Sequence, residues 1–254
     1  MGRPRVATRL LPLVGIHLVA LGCLDATTRT PPTLGDADHR ILFVGNSLTY
    51  TNDLPGAVAT VAGALGYDVA VASVARPNFA LEDHWYTGIG SVIADTAPDV
   101  VVMQQGPSSL PDNQEHLAVW SDSLARVVRD VGGEPALLMV WPSLSRAFAF
   151  DDVRDAYERA AVRVDGQFFP AGEAFRALYD RYPTFSPFGA DGFHPSDYGT
   201  IVAAYVLVGT YFDETVTGLP PRLEAANGGR VVDLLLDEAL ALQAVADSVV
   251  AAWR

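Results

Sequence analysis

The chain has 254 residues, half of them apolar, with 17 basic and 30 acidic side chains and a formal charge of −13. That apolar content, with only 19% charged residues, excludes an intrinsically disordered chain and supplies a core for one large domain. Every basic residue is Arg, and so acidic a surface without a basic stripe excludes nucleic acid as a partner.

Residues 1–9 carry Arg3, Arg5 and Arg9 and no acid, and an apolar run from Leu10 to Gly22 follows, broken only by Pro12 and His17. As a helix this run spans about 20 Å, short of the roughly 30 Å of a bilayer core. A basic start and a short apolar stretch read as a signal peptide over residues 1–22. Cys23, the one cysteine, follows Ala20-Leu21-Gly22 and resembles the lipidated cysteine of a bacterial lipobox, although Ala20 stands where Leu is usual. Cleavage after Ala26, giving a soluble exported protein, is the alternative. A single cysteine forms no internal disulfide, so the core alone must hold the fold. Residues 23–38, rich in Thr, Pro and Asp, read as the lipidated cysteine and a flexible tether. The expected location is the bacterial cell envelope, with membrane contact only through that lipid.

From residue 39 strands and helices alternate. Continuous apolar runs predict buried strands at Arg40–Gly45, Val69–Val74, Asp99–Gln104, Pro135–Trp141 and Gly166–Pro170. Periodic apolar positions predict helices over 54–65, 80–95, Asp112–Val131, Asp151–Val164, 172–181 and 196–212. A last helix over Arg230–Trp253 has the spacing of a dimer seam, but also that of a helix docked on its own domain. Five strands separated by helices argue for an α/β domain over 39–254, a parallel sheet covered on both sides.

Ligands of such sheets bind beyond the carboxyl ends of the strands. The first strand ends in Gly45-Asn46-Ser47-Leu48-Thr49-Tyr50, which puts a serine hydroxyl at that edge just before a helix. Near the other end of the chain, Gly189-Ala190-Asp191-Gly192-Phe193-His194-Pro195 places a carboxylate and an imidazole three residues apart in one Gly-bounded loop. A serine nucleophile needs an imidazole to take its proton and a carboxylate to orient that imidazole. Asp and His are also metal ligands, but no further ligands accompany them at suitable spacing. Asn46, Phe193 and Trp141 (the last residue of the fourth predicted strand) are candidates to line the substrate cleft, with core packing an equal alternative for Trp141. His84 reads as a partly exposed helix residue, and His39 and His116 as solvated charges among acids.

The stretch ILFVGNSLTYTNDLP together with DGFHPSDYG resembles the SGNH (GDSL-type) hydrolase superfamily, over about Arg40 to Tyr211. The resemblance implies a flavodoxin-like three-layer α/β/α sandwich with a central five-stranded parallel sheet. It further implies ester hydrolysis with Ser47 as nucleophile, His194 as general base and Asp191 as its orienting acid, without metal or cofactor. Two middle blocks depart from the family pattern. Where a glycine N–H usually joins the oxyanion hole the chain has Arg76-Pro77-Asn78-Phe79, and Asn78 is the best substitute because Asn tolerates left-handed backbone. Where the family has GxND, this chain has Gln104-Gln105-Gly106-Pro107. A Gln amide donates as an Asn amide does, and Gln104 is favoured over Gln105 because Gln105-Gly106-Pro107 reads as the turn. The expected oxyanion hole is therefore the Ser47 N–H, Asn78 and one of these glutamines. The substrate is expected to be a small-molecule or carbohydrate ester. An inactive lipid-anchored binding protein and an acyltransferase acting on polysaccharide share the motifs and stay open.

Overall fold

In the first strand, β1 (His39–Gly45), the residues Ile41 to Val44 are buried on both faces, which is why the segment reads as an unbroken apolar run. The structure is a computed structural model that describes residues 1–2, 32–224 and 230–254. The expected signal peptide, Cys23 and most of the expected tether lie outside the described residues. The chain divides into two units, Met1–Thr30 and Pro31–Arg254, and every element named below belongs to the second.

The strands β2 (Val69–Ala75), β3 (Val100–Met103), β4 (Glu134–Leu138) and β5 (Gln167–Phe169) join β1 in one parallel sheet of order β2-β1-β3-β4-β5. Register aligns the carboxyl ends, with Gly45 opposite Ala75 and both Val44 and Leu137 opposite Met103. The loops that follow β2 and β3 therefore leave beside the end of β1, second from one side of the sheet.

Helices cover both faces. After the single-turn α1 (Ser47–Tyr50) come α2 (Leu54–Ala64), α3 (Leu81–Tyr86), α4 (Ile89–Thr96), α5 (Pro111–Asp130), α6 (Phe150–Arg163), α7 (Ala171–Arg181), α8 (Asp197–Tyr211) and α9 (Leu236–Ala252). α8 packs against α2, α7 and α9, and α5 against α3, α4 and α6, which completes a three-layer sandwich. α8 is apolar around its whole circumference and is buried from Gly199 to Gly209, the pattern of a helix with no solvent face. No helix among the described residues is long and apolar enough to cross a membrane.

Three sequence expectations change. The helix expected over 80–95 is two helices, because Gly88 turns left-handed (φ 87°) and restarts the chain at α4. The fourth strand stops at Leu138 rather than Trp141, although Met139, Val140 and Trp141 remain buried. The C-terminal helix starts at Leu236 instead of Arg230. Val232 and Asp233 form instead a strand, β7, paired antiparallel with β6 (Arg222–Leu223). The apolar spacing of α9 is spent on its own domain: Ala239, Leu242, Val245, Ala246 and Val249 are buried, and the helix lies on α8 and α7.

Candidate active site

The chain leaves β1 through Gly45, where only a glycine fits. A Cβ there would lie 2.1 Å from Gln104 Oε1 and 2.5 Å from Thr49 Oγ1. Asn46 then caps α1, its Oδ1 accepting from Leu48 N–H at 3.0 Å, so Ser47 becomes the first helical residue. Its backbone N–H is one of those a helix start leaves without an intrahelical partner.

The opposing residues come from the loop before α8. The isolated bridge Phe188–Pro195 and the bond from Gly189 N–H to the His194 carbonyl (2.7 Å) close that loop. Gly192, left-handed at φ 68°, lets it double back. Asp191 Oδ1 accepts the N–H groups of Phe193 (3.0 Å) and His194 (2.9 Å), which directs Oδ2 to His194 Nδ1 at 2.5 Å. His194 Nε2 lies 2.9 Å from Ser47 Oγ. The imidazole contact, with the two backbone donors behind it, lowers the Asp191 carboxyl to about 2, so it is ionised across the neutral range. Both loop side chains reach solvent, His194 at 40% and Asp191 at 53% exposure.

Trp141 anchors this loop. Its indole Nε1 donates to the Phe193 carbonyl at 2.8 Å, its ring is stacked on Phe175, and it is 1% exposed. Of the two readings of Trp141, the cleft wall is corrected and core packing holds: its polar edge faces the loop and its apolar body fills the core. Asn52 ties the two halves together, donating to the Pro195 carbonyl at 2.8 Å from the segment between α1 and α2.

The two glutamines have different surroundings. Gln104 is 1% exposed, and its Oε1 accepts from Asn46 N–H (2.9 Å) and Thr49 Oγ1 (2.8 Å). Its Nε2 donates to Asn46 Oδ1 (2.8 Å) and the Gln105 carbonyl (2.7 Å), so neither amide proton is left for a ligand. Gln105, just past β3, gives one proton to Ser108 Oγ (2.9 Å) while its Oε1 accepts from Leu81 N–H (3.3 Å). It lines the cavity beside Ser47 and has a second amide proton to offer. The preference for Gln104 as the cleft-facing donor is thus reversed: four bonds lock Gln104 beneath the turn at Ser47, and none of them is visible in local spacing. Asn78 is left-handed at φ 60°, the third residue of a turn closed by Phe79 N–H on the Arg76 carbonyl (3.2 Å). Asn46 Nδ2 donates to the Phe79 carbonyl at 3.0 Å and holds this turn beside Ser47.

A cavity of about 370 Å³ opens at Ser47, lined among others by Asn46, Asn78, Gln105, His116 and Phe193. A second lobe of about 270 Å³ adjoins it across Ser108 and Phe193 and reaches Arg146. Among the described residues no three His, Cys, Asp or Glu side chains gather as a metal site. Two histidines differ from expectation. His84 is fully buried, its Nε2 donating to the Gly45 carbonyl at 2.8 Å, and burial pushes its pKa below the usual imidazole value. The signal for this was Leu81, three residues earlier on the same helical face. His39, expected to be solvated, packs edge-on against Tyr67, Tyr211 and Phe212.

No protein-family model matches the sequence, and no curated protein does. Solved structures match it strongly. A DUF4886 family protein from Bacteroides uniformis superposes with TM-score 0.69 at 16% identity, over 84% of this chain and 95% of its own. A protein from Slackia heliotrinireducens, described as a candidate SGNH hydrolase, matches with TM-score 0.57 at 28% identity, over 69% of this chain and all of its own. The fold is that of the SGNH hydrolase superfamily. An acetyl-xylooligosaccharide esterase from Geobacillus stearothermophilus has the same SGNH architecture, with TM-score 0.53 at 17% identity, over 72% of this chain and 96% of its own.

Proposed function

We propose that the chain is an exported serine esterase that hydrolyses carboxylic esters, acetyl groups on carbohydrate among them. The observation that carries this reading is the unbroken relay from Asp191 Oδ2 through His194 to Ser47 Oγ, at 2.5 and 2.9 Å. Kinship at the level of fold with an SGNH hydrolase and an acetyl-xylooligosaccharide esterase supports ester hydrolysis over binding alone.

In this mechanism Ser47 Oγ attacks the acyl carbonyl while His194 Nε2 takes its proton. Asp191 holds the imidazole in the tautomer that leaves Nε2 free, then balances the imidazolium. The tetrahedral oxyanion is met by the N–H groups of Ser47 and Asn78 and by the second amide proton of Gln105. Collapse expels the alcohol, which receives the proton from His194. Water, deprotonated by the same imidazole, then releases the acid and restores Ser47. Export and lipidation at Cys23 belong to the same reading and rest on the N-terminal sequence.

The test is hydrolysis of p-nitrophenyl acetate by purified variants. Ser47→Ala and His194→Ala should each lower kcat by about 10⁴–10⁶, and the double variant little further, since the residues act as a unit. Asp191→Asn should cost on the order of 10⁴. Unchanged turnover in Ser47→Ala would remove the mechanism.

A further inference from the structure

Outside the relay, the described surface holds one aromatic group that begins at the cavity wall. His116, on α5, lines the cavity at Ser47, and its Nε2 donates a hydrogen bond to Glu82 Oε2 at 2.9 Å. One turn further along α5, the Trp120 ring lies 6.2 Å from that imidazole. Trp85 and Tyr86, at the end of α3, approach Trp120 at 6.0 and 5.6 Å between ring centres. Trp120 packs in part against the core, while Trp85 is 38% and Tyr86 73% exposed.

Large apolar side chains left in water next to a cleft mark a contact surface. The surrounding charge narrows the class of partner. Besides the Tyr86 phenol, the titratable groups on α3 are Glu82, Asp83 and His84. Glu82 is paired with His116, Asp83 accepts the Ala80 N–H at 2.8 Å, and His84 is buried. No Arg belongs to the group, so it offers nothing to an anionic headgroup or a phosphate. Flat rings bordered by a carboxylate–imidazole pair suit a ligand with apolar C–H faces and hydroxyl edges, which is a neutral pyranose. A run of rings that starts at the cavity also suits a chain of sugars more than a single one.

We infer that His116, Trp120, Trp85 and Tyr86 form a ledge that binds a neutral oligosaccharide leading into the Ser47 cavity, so that the substrate is a polymeric carbohydrate ester. This inference rests on the esterase reading and deepens it. The aromatic rings stack on successive sugars, while Glu82 and His116 accept and donate hydroxyl hydrogen bonds where the chain enters the cleft.

The experiment compares partially acetylated xylan with p-nitrophenyl acetate as substrates for the full chain and for Tyr86→Ala and Trp85→Ala. Tyr86 is the safer position for folding, being mostly exposed, and thermal melts check both variants. The ratio of kcat/KM on xylan to kcat/KM on the small ester should fall about threefold to tenfold in each variant, the scale of one lost aromatic contact. In parallel, Ser47→Ala protein is run through native gels containing the same xylan. Retardation that weakens when Tyr86→Ala or Trp85→Ala is added supports the ledge even if small-ester turnover fails, so loss of the esterase reading is seen separately. An unchanged ratio together with unchanged retardation would overturn the inference. So would variants that lose binding to phosphatidylcholine vesicles while keeping their retardation by xylan, since the ledge would then face a membrane.

Discussion

Gln104 and Gln105 stand side by side in sequence, yet only Gln105 lines the cavity and keeps an amide proton without a partner among the described residues. Gln105→Ala should therefore lower kcat by about 10²–10³ with little change in melting temperature, as expected for one oxyanion donor. Gln104→Ala instead strands the Asn46 N–H and the Thr49 hydroxyl in a buried pocket, so urea unfolding should show a loss of about 1–3 kcal/mol. The opposite pattern, with Gln104→Ala stable but inactive, would contradict the assignment. His84 sets a pH dependence of a different kind. Burial depresses its pKa below the ordinary 6.5, so the unfolded chain takes up a proton before the folded one does. Its share of stability is thus fully present above pH 6.5 and is lost as the pH falls below it. His84→Gln keeps a donor for the Gly45 carbonyl and removes the titration. Melting curves between pH 7 and pH 5 should accordingly decline less steeply for that variant than for the unaltered protein.

At the scale of elements, the loop carrying Asp191 and His194 is held by Trp141 and Asn52, side chains whose roles no local pattern reveals. Trp141→Phe keeps most of the stacked ring but removes the donor to the Phe193 carbonyl, and kcat on p-nitrophenyl acetate should fall by up to about tenfold. Undiminished activity would show that the Phe188–Pro195 bridge and the Asn52 bond suffice. The five parallel strands and most helices were legible because β-rich apolar runs and helical periodicity are local signals. Ser47, Asp191 and His194 were legible because each sits in a short motif at a strand end or in a Gly-bounded loop. What was not legible is directional. Alternation gives no facing for Gln105 once β3 has ended at Met103. The burial of His84 depends on how α3 lies over the end of β1, and the position of Trp141 on a loop some 50 residues ahead in the chain. None of these follows from spacing within a segment.

At the scale of the whole molecule, the acidic surface and the N-terminal sequence point the same way. A chain of charge −13 without Lys gains nothing from the charge of anionic lipid, so the proposed anchor rests on the lipid at Cys23 alone. Mass spectrometry of the exported protein should find Cys23 as the first residue, carrying acyl chains, and an unmodified N-terminus elsewhere would exclude the anchor. The relay itself has a consequence for what happens after the alcohol departs. His194 and Asp191 are 40% and 53% exposed, so in the proposed mechanism the imidazole that activates the second nucleophile faces bulk solvent rather than a dry pocket. Partitioning of the acyl-enzyme is then governed by concentration, and water, at its overwhelming abundance, prevails over any sugar hydroxyl that lacks its own binding site. Added glycerol should capture acyl groups only in proportion to its share of the solvent. A strong bias toward transfer would mean that an alcohol is held at the relay ahead of water.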